Sequence, residues 1–346
     1  MINTLIGIMM IFLLAIPTAA EEISAPEVPH SGVAMMPQNT ESFSSAIGEL
    51  IQNGLNQVRP ELEHFSKTYM KIIFSAFLFS LLSVLSDKMT TPVSIAGTIT
   101  IAAAMFQHTN AMVEYAAETV REICEYGKLL CPVLTTALAA QGGVTSSAAL
   151  YAGTSAFIAL LGMLISGWII PMIYIFLLFS IANCALGEDI LKKFADTIKN
   201  ILQWLLKTLL IIFTTYMSVT GVISGLTDTA ALKAAKLTMS TVVPVVGGIL
   251  SDASESVLVS MGVIKNAAGV YGILATLAVF MGPFIRVGVQ YLLLKATALI
   301  CSLFPCKNIT GLTCDFSSAM GLLLAMVATS CILVFISTVC FLKGIG

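Results

Sequence analysis

The sequence predicts an all-α polytopic membrane protein with about seven or eight spans and interfacial amphipathic helices. Of its 346 residues, 57% are hydrophobic and 10% are charged, whereas about a quarter of an ordinary soluble domain is charged. The longest uncharged stretch runs from Leu129 to Gly187. A charged side chain at the centre of a bilayer costs at least about 2.5 kcal/mol, so such stretches mark membrane spans. A water-soluble globule is thereby excluded.

Residues 1–20 predict a signal peptide. They carry no charged side chain, are apolar from Leu5 to Ile16, and end in small residues after Pro17. This order is typical of an export signal, although a basic residue near the start is missing and an uncleaved anchor is the alternative. Residues 21–69 are then an exported polar segment with one short amphipathic helix. Its apolar positions at helical spacing are Phe43, Ile47, Leu50, Ile51, Leu55 and Val58.

The multi-span membrane domain is predicted to cover residues 70–346. Its first two spans lie at residues 72–86 and 92–106. Asn110 then caps a surface helix that has charged side chains on one side and apolar side chains on the other. The charged residues are Glu114, Glu118, Arg121, Glu122 and Glu125, and the apolar ones are Met112, Ala116, Val120 and Ile123.

The long uncharged stretch must fold back on itself. As one helix it would be roughly 88 Å long, against a hydrocarbon layer of about 30 Å. Breaks are predicted at Gly142–Gly143 and at Gly167 with Pro171, because glycine and proline interrupt helices. The resulting pieces are a short re-entrant segment at 129–140 and spans at 147–166 and 168–186.

The remaining spans follow an interfacial helix at residues 188–203. That helix has an apolar face and favourable charge pairs four residues apart on the other side. The later spans are predicted at residues 209–225, 268–281, 287–304 and 317–342.

Nothing in the sequence predicts catalysis, so we expect no enzyme, no cofactor and no metal site. There is no GxGxxG, phosphate-binding loop or HExxH pattern, and the three histidines lie far apart. The net charge of −2 leaves no strongly basic surface for nucleic acid, so the lipid bilayer and other membrane proteins are the expected partners. The eight cysteines form no CxxC pair and mostly lie in apolar runs, where cysteine acts as a small hydrophobic residue.

Arg286 and Lys295 are the candidate intramembrane charges. Lys295 lies inside an otherwise apolar run, and an intramembrane cation often lines a polar path or pairs with a carboxylate. In the alternative interpretation, Arg286 marks a membrane boundary and the long side chain of Lys295 extends to the membrane surface.

Residues 225–269 form a polar but ordered segment. Pro244 followed by Gly247 and Gly248 predicts irregular backbone, which next to a membrane must be buried in protein or line a cavity. Asp252, with Glu255 three residues later, fits a capping box at the start of the next helix. A re-entrant loop beside a pore and an ordinary surface hairpin are equally compatible with this pattern.

The same segment carries motifs by which the sequence resembles the stage III sporulation protein AE family. They are Gly225-Leu-Thr-Asp-Thr-Ala-Ala-Leu-Lys-Ala-Ala-Lys, Val243-Pro-Val-Val-Gly, Ser251-Asp-Ala-Ser-Glu-Ser-Val and Val263-Ile-Lys-Asn-Ala-Ala-Gly. The order of elements, an exported amino terminus followed by many membrane spans, extends the resemblance over most of the chain. The resemblance implies an endospore-forming bacterium and a multi-pass cell-membrane protein, in the mother-cell membrane that surrounds the forespore.

The resemblance also implies partners, namely other stage III sporulation A proteins and the forespore protein stage II Q. It implies no active site, and the motif residues are packing candidates only. We therefore expect a non-enzymatic subunit of a channel or secretion complex that connects mother cell and forespore and is needed after engulfment. A stand-alone small-molecule transporter, which normally shows internal repeats, and a non-conducting scaffold are the alternatives. The motif residues are Pro244, Gly247, Gly248, Asp252, Lys265 and Asn266.

Overall fold

The computed structural model describes residues 26–37, 45–56, 91–242, 247–303 and 307–343, with a few further residues between 59 and 78. For residues 221–242 and 247–266 it describes the backbone alone. The predicted signal peptide, most of the predicted first span and Pro244 lie outside the described residues.

Helices dominate this part of the chain. Five stretches of the described residues are long and apolar enough to cross a membrane, which confirms the all-α polytopic membrane fold. Several predicted spans are joined into single helices, so the described residues contain fewer separate spans than expected. The helices are α1 (His30–Val33), α2 (Thr91–Ala140), α3 (Val144–Leu164), α4 (Ile170–Leu186), α5 (Asp189–Val242), α6 (Gly247–Cys301) and α7 (Lys307–Lys343).

α2 joins three elements that the sequence pattern predicts to be separate. The predicted span at 92–106, the surface helix and the re-entrant segment at 129–140 form one helix of 50 residues, about 75 Å long. Asn110 therefore lies inside the helix and does not cap it. The polar residues at 107–110, of which Thr109 is buried and Gln107 is exposed, do not end the helix because a polar side chain leaves the backbone hydrogen bonds intact.

The two predicted breaks in the uncharged stretch have different outcomes. Gly142 and Gly143 form the turn between α2 and α3, and Gly142 has a φ of 94°, a conformation that favours glycine. The predicted break at Gly167 and Pro171 is wrong, because the chain continues through a π-helical turn, Ile165–Ile169. The amide of Ile170 donates to the Ile165 carbonyl across this turn, and the helix continues past Pro171. α3 and α4 thus form one rod of 43 residues.

α5 and α6 also join predicted elements. The predicted interfacial helix at 188–203 is the start of α5, and the two spans predicted between 268 and 304 lie in α6, with Pro283 inside the helix. The predicted polar loop is largely helical, because residues 225–242 end α5 and residues 247–269 begin α6. Since α6 begins at Gly247, Asp252 lies in its second turn and does not cap its start.

The long helices pack side by side in alternating directions. α6 runs antiparallel to α7, since Gly269 lies against Leu342 and Gly288 lies near Leu324. α2 runs antiparallel to α6, since Leu130 lies against Gly272 and Tyr115 lies near Gly282. Large side chains fill the space between the helices. Fully buried examples are Tyr126, Phe176, Phe213, Phe316 and Phe341.

The rod of α3 and α4 connects α7 to α5. Buried Thr154 and Ser337 place their hydroxyl oxygens 2.6 Å apart between α3 and α7. The ring of Phe157 packs edge-on against that of Phe213 in α5, with centroids 5.1 Å apart. Near the other end of the rod, the rings of Phe179 and Phe194 stack at 5.6 Å. The rod therefore runs antiparallel to α5.

The amino-terminal segment packs onto α6. Residues 45–56 are helical and lie within the range predicted for the amphipathic helix. Its buried side includes Leu50, whereas Ile51 and Leu55 are exposed. Together with Met35, this segment covers the middle of α6 through one small apolar cluster. The cluster contains Met35, Ala46, Leu50, Leu274 and Ala278.

Candidate functional site in the membrane domain

One side of α2 is charged and exposed along the middle of the helix. The charged residues recur every three or four positions, which places them in one line along the helix. Glu118 and Arg121 form a salt bridge of 2.6 Å. The predicted apolar side is buried, so the two-sided pattern expected from the sequence is confirmed. We define the α2 charged face as Glu114, Glu118, Arg121, Glu125 and Lys128, all of which are exposed.

The α2 charged face lies beside uncharged parts of the neighbouring helices. Gly127, next to Lys128, lies against Ile158 of α3 and Val334 of α7. Tyr115, next to Glu114, lies near Gly282 of α6. No charged residue occurs in α3 and α4, between residues 316 and 342 of α7, or between residues 267 and 285 of α6. These uncharged parts are the ones that suit the hydrocarbon layer.

The outer surface of the other helices near this level is apolar. Met163 is 67% exposed on the α3 side, and Ile211 and Ile212 are 53% exposed on α5. These side chains suit contact with lipid, whereas each charge of the α2 charged face would cost at least about 2.5 kcal/mol there. The bundle thus has an apolar side that can face lipid and a charged side that cannot. From Glu114 to Lys128 the charged side extends about 21 Å along the helix axis.

Arg286 packs against α2 at one end of the charged face. Its guanidinium carbon lies 4.7 Å from the centroid of the Tyr115 ring, a cation–π contact. The side chain is half-buried at the junction of α2 and α6. Arg286 therefore links α6 to α2, and it extends the polar surface of α2 onto α6.

Lys295 lies further along α6 and is exposed. Its ammonium nitrogen lies 5.8 Å from the centroid of the Tyr291 ring, one turn earlier on the same helix. Gln290, which is next to Tyr291, is fully buried. The structure thus separates the two candidate cations, because Arg286 joins two helices while Lys295 projects from the surface of one.

A polar contact that the sequence analysis did not predict links α2 to α4. The Tyr174 hydroxyl donates to Asn110 Oδ1 at 2.7 Å, and Asn110 Nδ2 donates to Glu114 Oε1 at 2.9 Å. Asn110 and Tyr174 are 64 positions apart in the chain. Only the antiparallel packing of α2 and α4 brings them together, so no local pattern could have revealed the contact.

A second unpredicted polar group lies at the end of the bundle where α4 ends and α5 and α7 begin. Asp315 of α7 lies near Ser180 of α4 and near Lys192 and Lys199 of α5. Lys199 also contacts Asp196 at 3.4 Å. This group links α7 to α5 through opposite charges and to α4 through the Ser180 hydroxyl. It lies well away from the α2 charged face, so we treat it as part of the bundle architecture.

Of the family-motif residues, Pro244 lies outside the described residues and the other five lie on one helix. Gly247, Gly248, Asp252, Lys265 and Asn266 all belong to the first part of α6. Because only the backbone is described there, the structure gives them a position in the fold and no contacts.

The described residues contain no group of three or more histidine, cysteine, aspartate or glutamate side chains that could hold a metal ion. Cys124, Cys131, Cys184, Cys301 and Cys331 are buried and are not in disulfides. As expected from the sequence, they lie in the apolar core as small hydrophobic residues.

The fold and these sites define a polytopic helical membrane protein with a charged surface along one helix. The chain belongs to the stage III sporulation protein AE family, whose sequence profile matches residues 33–344. The resemblance that the sequence motifs indicate is thereby confirmed. The family gives the protein a role in sporulation.

A curated relative is stage III sporulation protein AE of Bacillus subtilis (strain 168). It is 27% identical over 175 residues, which are 51% of this chain and 44% of the relative. The match thus spans less than half the length of that relative. No solved structure matches the chain.

Proposed function

We propose that this protein is a non-enzymatic membrane subunit of the channel or secretion complex that connects the mother cell with the engulfed forespore. The observation that carries the proposal is the family match over residues 33–344. The long apolar helices support the part of the proposal that places this subunit within a membrane. The proposed location is the mother-cell membrane around the forespore. Its proposed partners are other stage III sporulation A proteins and the forespore protein stage II Q.

The surface of the described residues supports the proposal that this protein is a subunit of a complex with other proteins. The α2 charged face is exposed in the single chain although lipid is a poor environment for it. A complex can enclose such a surface with protein or water, which a single bundle in lipid cannot do. This argument favours a complex subunit over a stand-alone transporter.

Deletion of the coding sequence tests the proposal. The mutant is expected to grow normally in the vegetative state and to complete engulfment, and then to arrest before mature spores form. Expression of the intact chain from a second locus should restore spores. Normal sporulation by the deletion strain would contradict the proposal.

Reconstitution of the purified protein distinguishes a subunit of a complex from a stand-alone transporter. The purified protein alone in liposomes is expected to take up no solute and to show no hydrolase activity. Robust uptake without partners would instead support a stand-alone transporter.

A further inference from the structure

The interior of the described bundle is closed by packing. Large side chains are fully buried along its length, including Phe316 on α7, Phe176 on α4 and Phe213 on α5. Protein interiors packed in this way leave little room for water. A path for polar solutes would therefore run along an outer surface of the bundle and not through its centre.

The α2 charged face is the outer surface of the described bundle that suits water at membrane depth. Its neighbours at the same level are uncharged, and the remaining helices present apolar side chains outward. Charged residues at such depth face protein or a water-filled cavity. The three exposed glutamates of the face, together with Arg121 and Lys128 and with half-exposed Glu122 at its edge, give the surface a strongly hydrated character.

A second observation comes from the amino-terminal segment. Gly32 lies against Val279 and Gly54 lies against Ile285, so this segment covers α6 at the same level. The Ser31 hydroxyl donates to the Glu122 carboxylate at the edge of the α2 charged face. Gln52 and Asn56 are exposed on the segment, beside exposed Leu55. The exposed side of the segment thus mixes polar side chains with Ile51 and Leu55, and its hydrogen bond to Glu122 places the segment along one edge of the α2 charged face.

We infer that the α2 charged face lines a water-filled path at membrane depth. The inference rests on the proposed function, since it locates the path to which this subunit contributes. Water occupies the charged face, and the apolar surface formed by α3, α4 and α5 contacts lipid. The amino-terminal segment forms one edge of the path.

Single cysteines in the assembled complex test this inference. Glu118→Cys and Glu125→Cys are placed on the charged face, and Met163→Cys and Ile212→Cys are matched controls on the apolar surface. Membranes from sporulating cells are treated with a membrane-impermeant charged thiol reagent, and the unmodified chain gives the background from its native cysteines. The two charged-face cysteines are expected to react about tenfold faster or more than the two controls. The controls are expected to react with a lipid-soluble thiol reagent.

Two results would overturn the inference. If the charged-face cysteines react no faster than the controls, a partner protein covers the face. If the controls react with the impermeant reagent as fast as Glu118→Cys, this level of the bundle lies outside the membrane. Because labelling measures exposure and not sporulation, it can fail while the deletion strain still shows the developmental arrest. In that case the location of the path is wrong and the proposed function is retained.

Discussion

The ring of Tyr216 packs directly on Gly153, so a β-carbon at position 153 would lie 2.0 Å from Cε1 of the ring. The Tyr216 hydroxyl donates to the carbonyl of Ala149, one turn earlier on α3, at 3.1 Å. Close approach at glycine is a common way for membrane helices to pack. Gly153 and Tyr216 therefore set the spacing between α3 and α5.

Gly153→Ala is expected to destabilise the protein by about 1–3 kcal/mol, because the ring must move and the close packing is lost. Thermal unfolding of the detergent-purified protein measures the effect as a lower midpoint.

Gly162→Ala is the matched control on the same helix. A β-carbon at Gly162 would meet nothing within 4 Å, and alanine favours a helix over glycine by about 1 kcal/mol. The midpoint of this variant should stay the same or rise. Equal losses for both variants would show that the Tyr216 contact does not set the packing.

The buried hydroxyls of Thr154 and Ser337 allow a double-mutant cycle between α3 and α7. The two oxygens lie 2.6 Å apart, and the Cys131 thiol also faces Ser337. Thr154→Val and Ser337→Ala should show a coupling energy of about 0.6 kcal/mol and at most about 1.7 kcal/mol, the mean and the maximum from double-mutant cycles between membrane helices. Unfolding by denaturant in mixed micelles measures all four proteins of the cycle. Strictly additive effects would mean that the hydroxyls do not interact.

Arg286 and Lys295 are expected to respond differently to replacement by leucine. Arg286→Leu removes the cation–π contact with Tyr115 and should lower the amount of folded protein in the membrane. Lys295→Leu removes an exposed charge at little structural cost, so the protein should insert and accumulate normally. Quantitative blotting of membrane fractions compares the two variants.

Spore counts for Lys295→Leu then decide between the two interpretations of this residue. A functional charge predicts fewer spores at normal protein abundance. Normal spore numbers would show that the side chain simply extends to the membrane surface.

Sequence patterns predicted the faces of the helices better than their ends. On α2, the positions of Glu118 and Glu125 against Val120 and Ile123 follow directly from helical periodicity. The predicted breaks failed where a charge or a proline was read as the end of a span. Helix ends depend on backbone hydrogen bonding, and the π turn before Pro171 maintains it. A charged residue in the middle of a helix depends on the environment of its side chain. It does not interrupt the backbone hydrogen bonds, so the helix continues through it.

Contacts between distant positions could not be predicted in this way. Asn110 meets Tyr174, and Asp315 lies near Lys199, only because several long helices pack in register. A single sequence contains the helical periodicity of each segment and no direct record of which helices are neighbours. The same limit applies to the α2 charged face, whose residues were predicted but whose place beside the uncharged parts of α3, α6 and α7 was not.

Affinity capture from sporulating cells tests most directly whether this protein is a subunit of a sporulation channel complex. A tagged, functional chain is purified in mild detergent after engulfment, and its partners are identified by mass spectrometry against an untagged strain. The account predicts specific recovery of other stage III sporulation A proteins together with the tagged chain. Recovery of the functional tagged chain alone, under conditions in which a known membrane complex from the same cells stays intact, would contradict it.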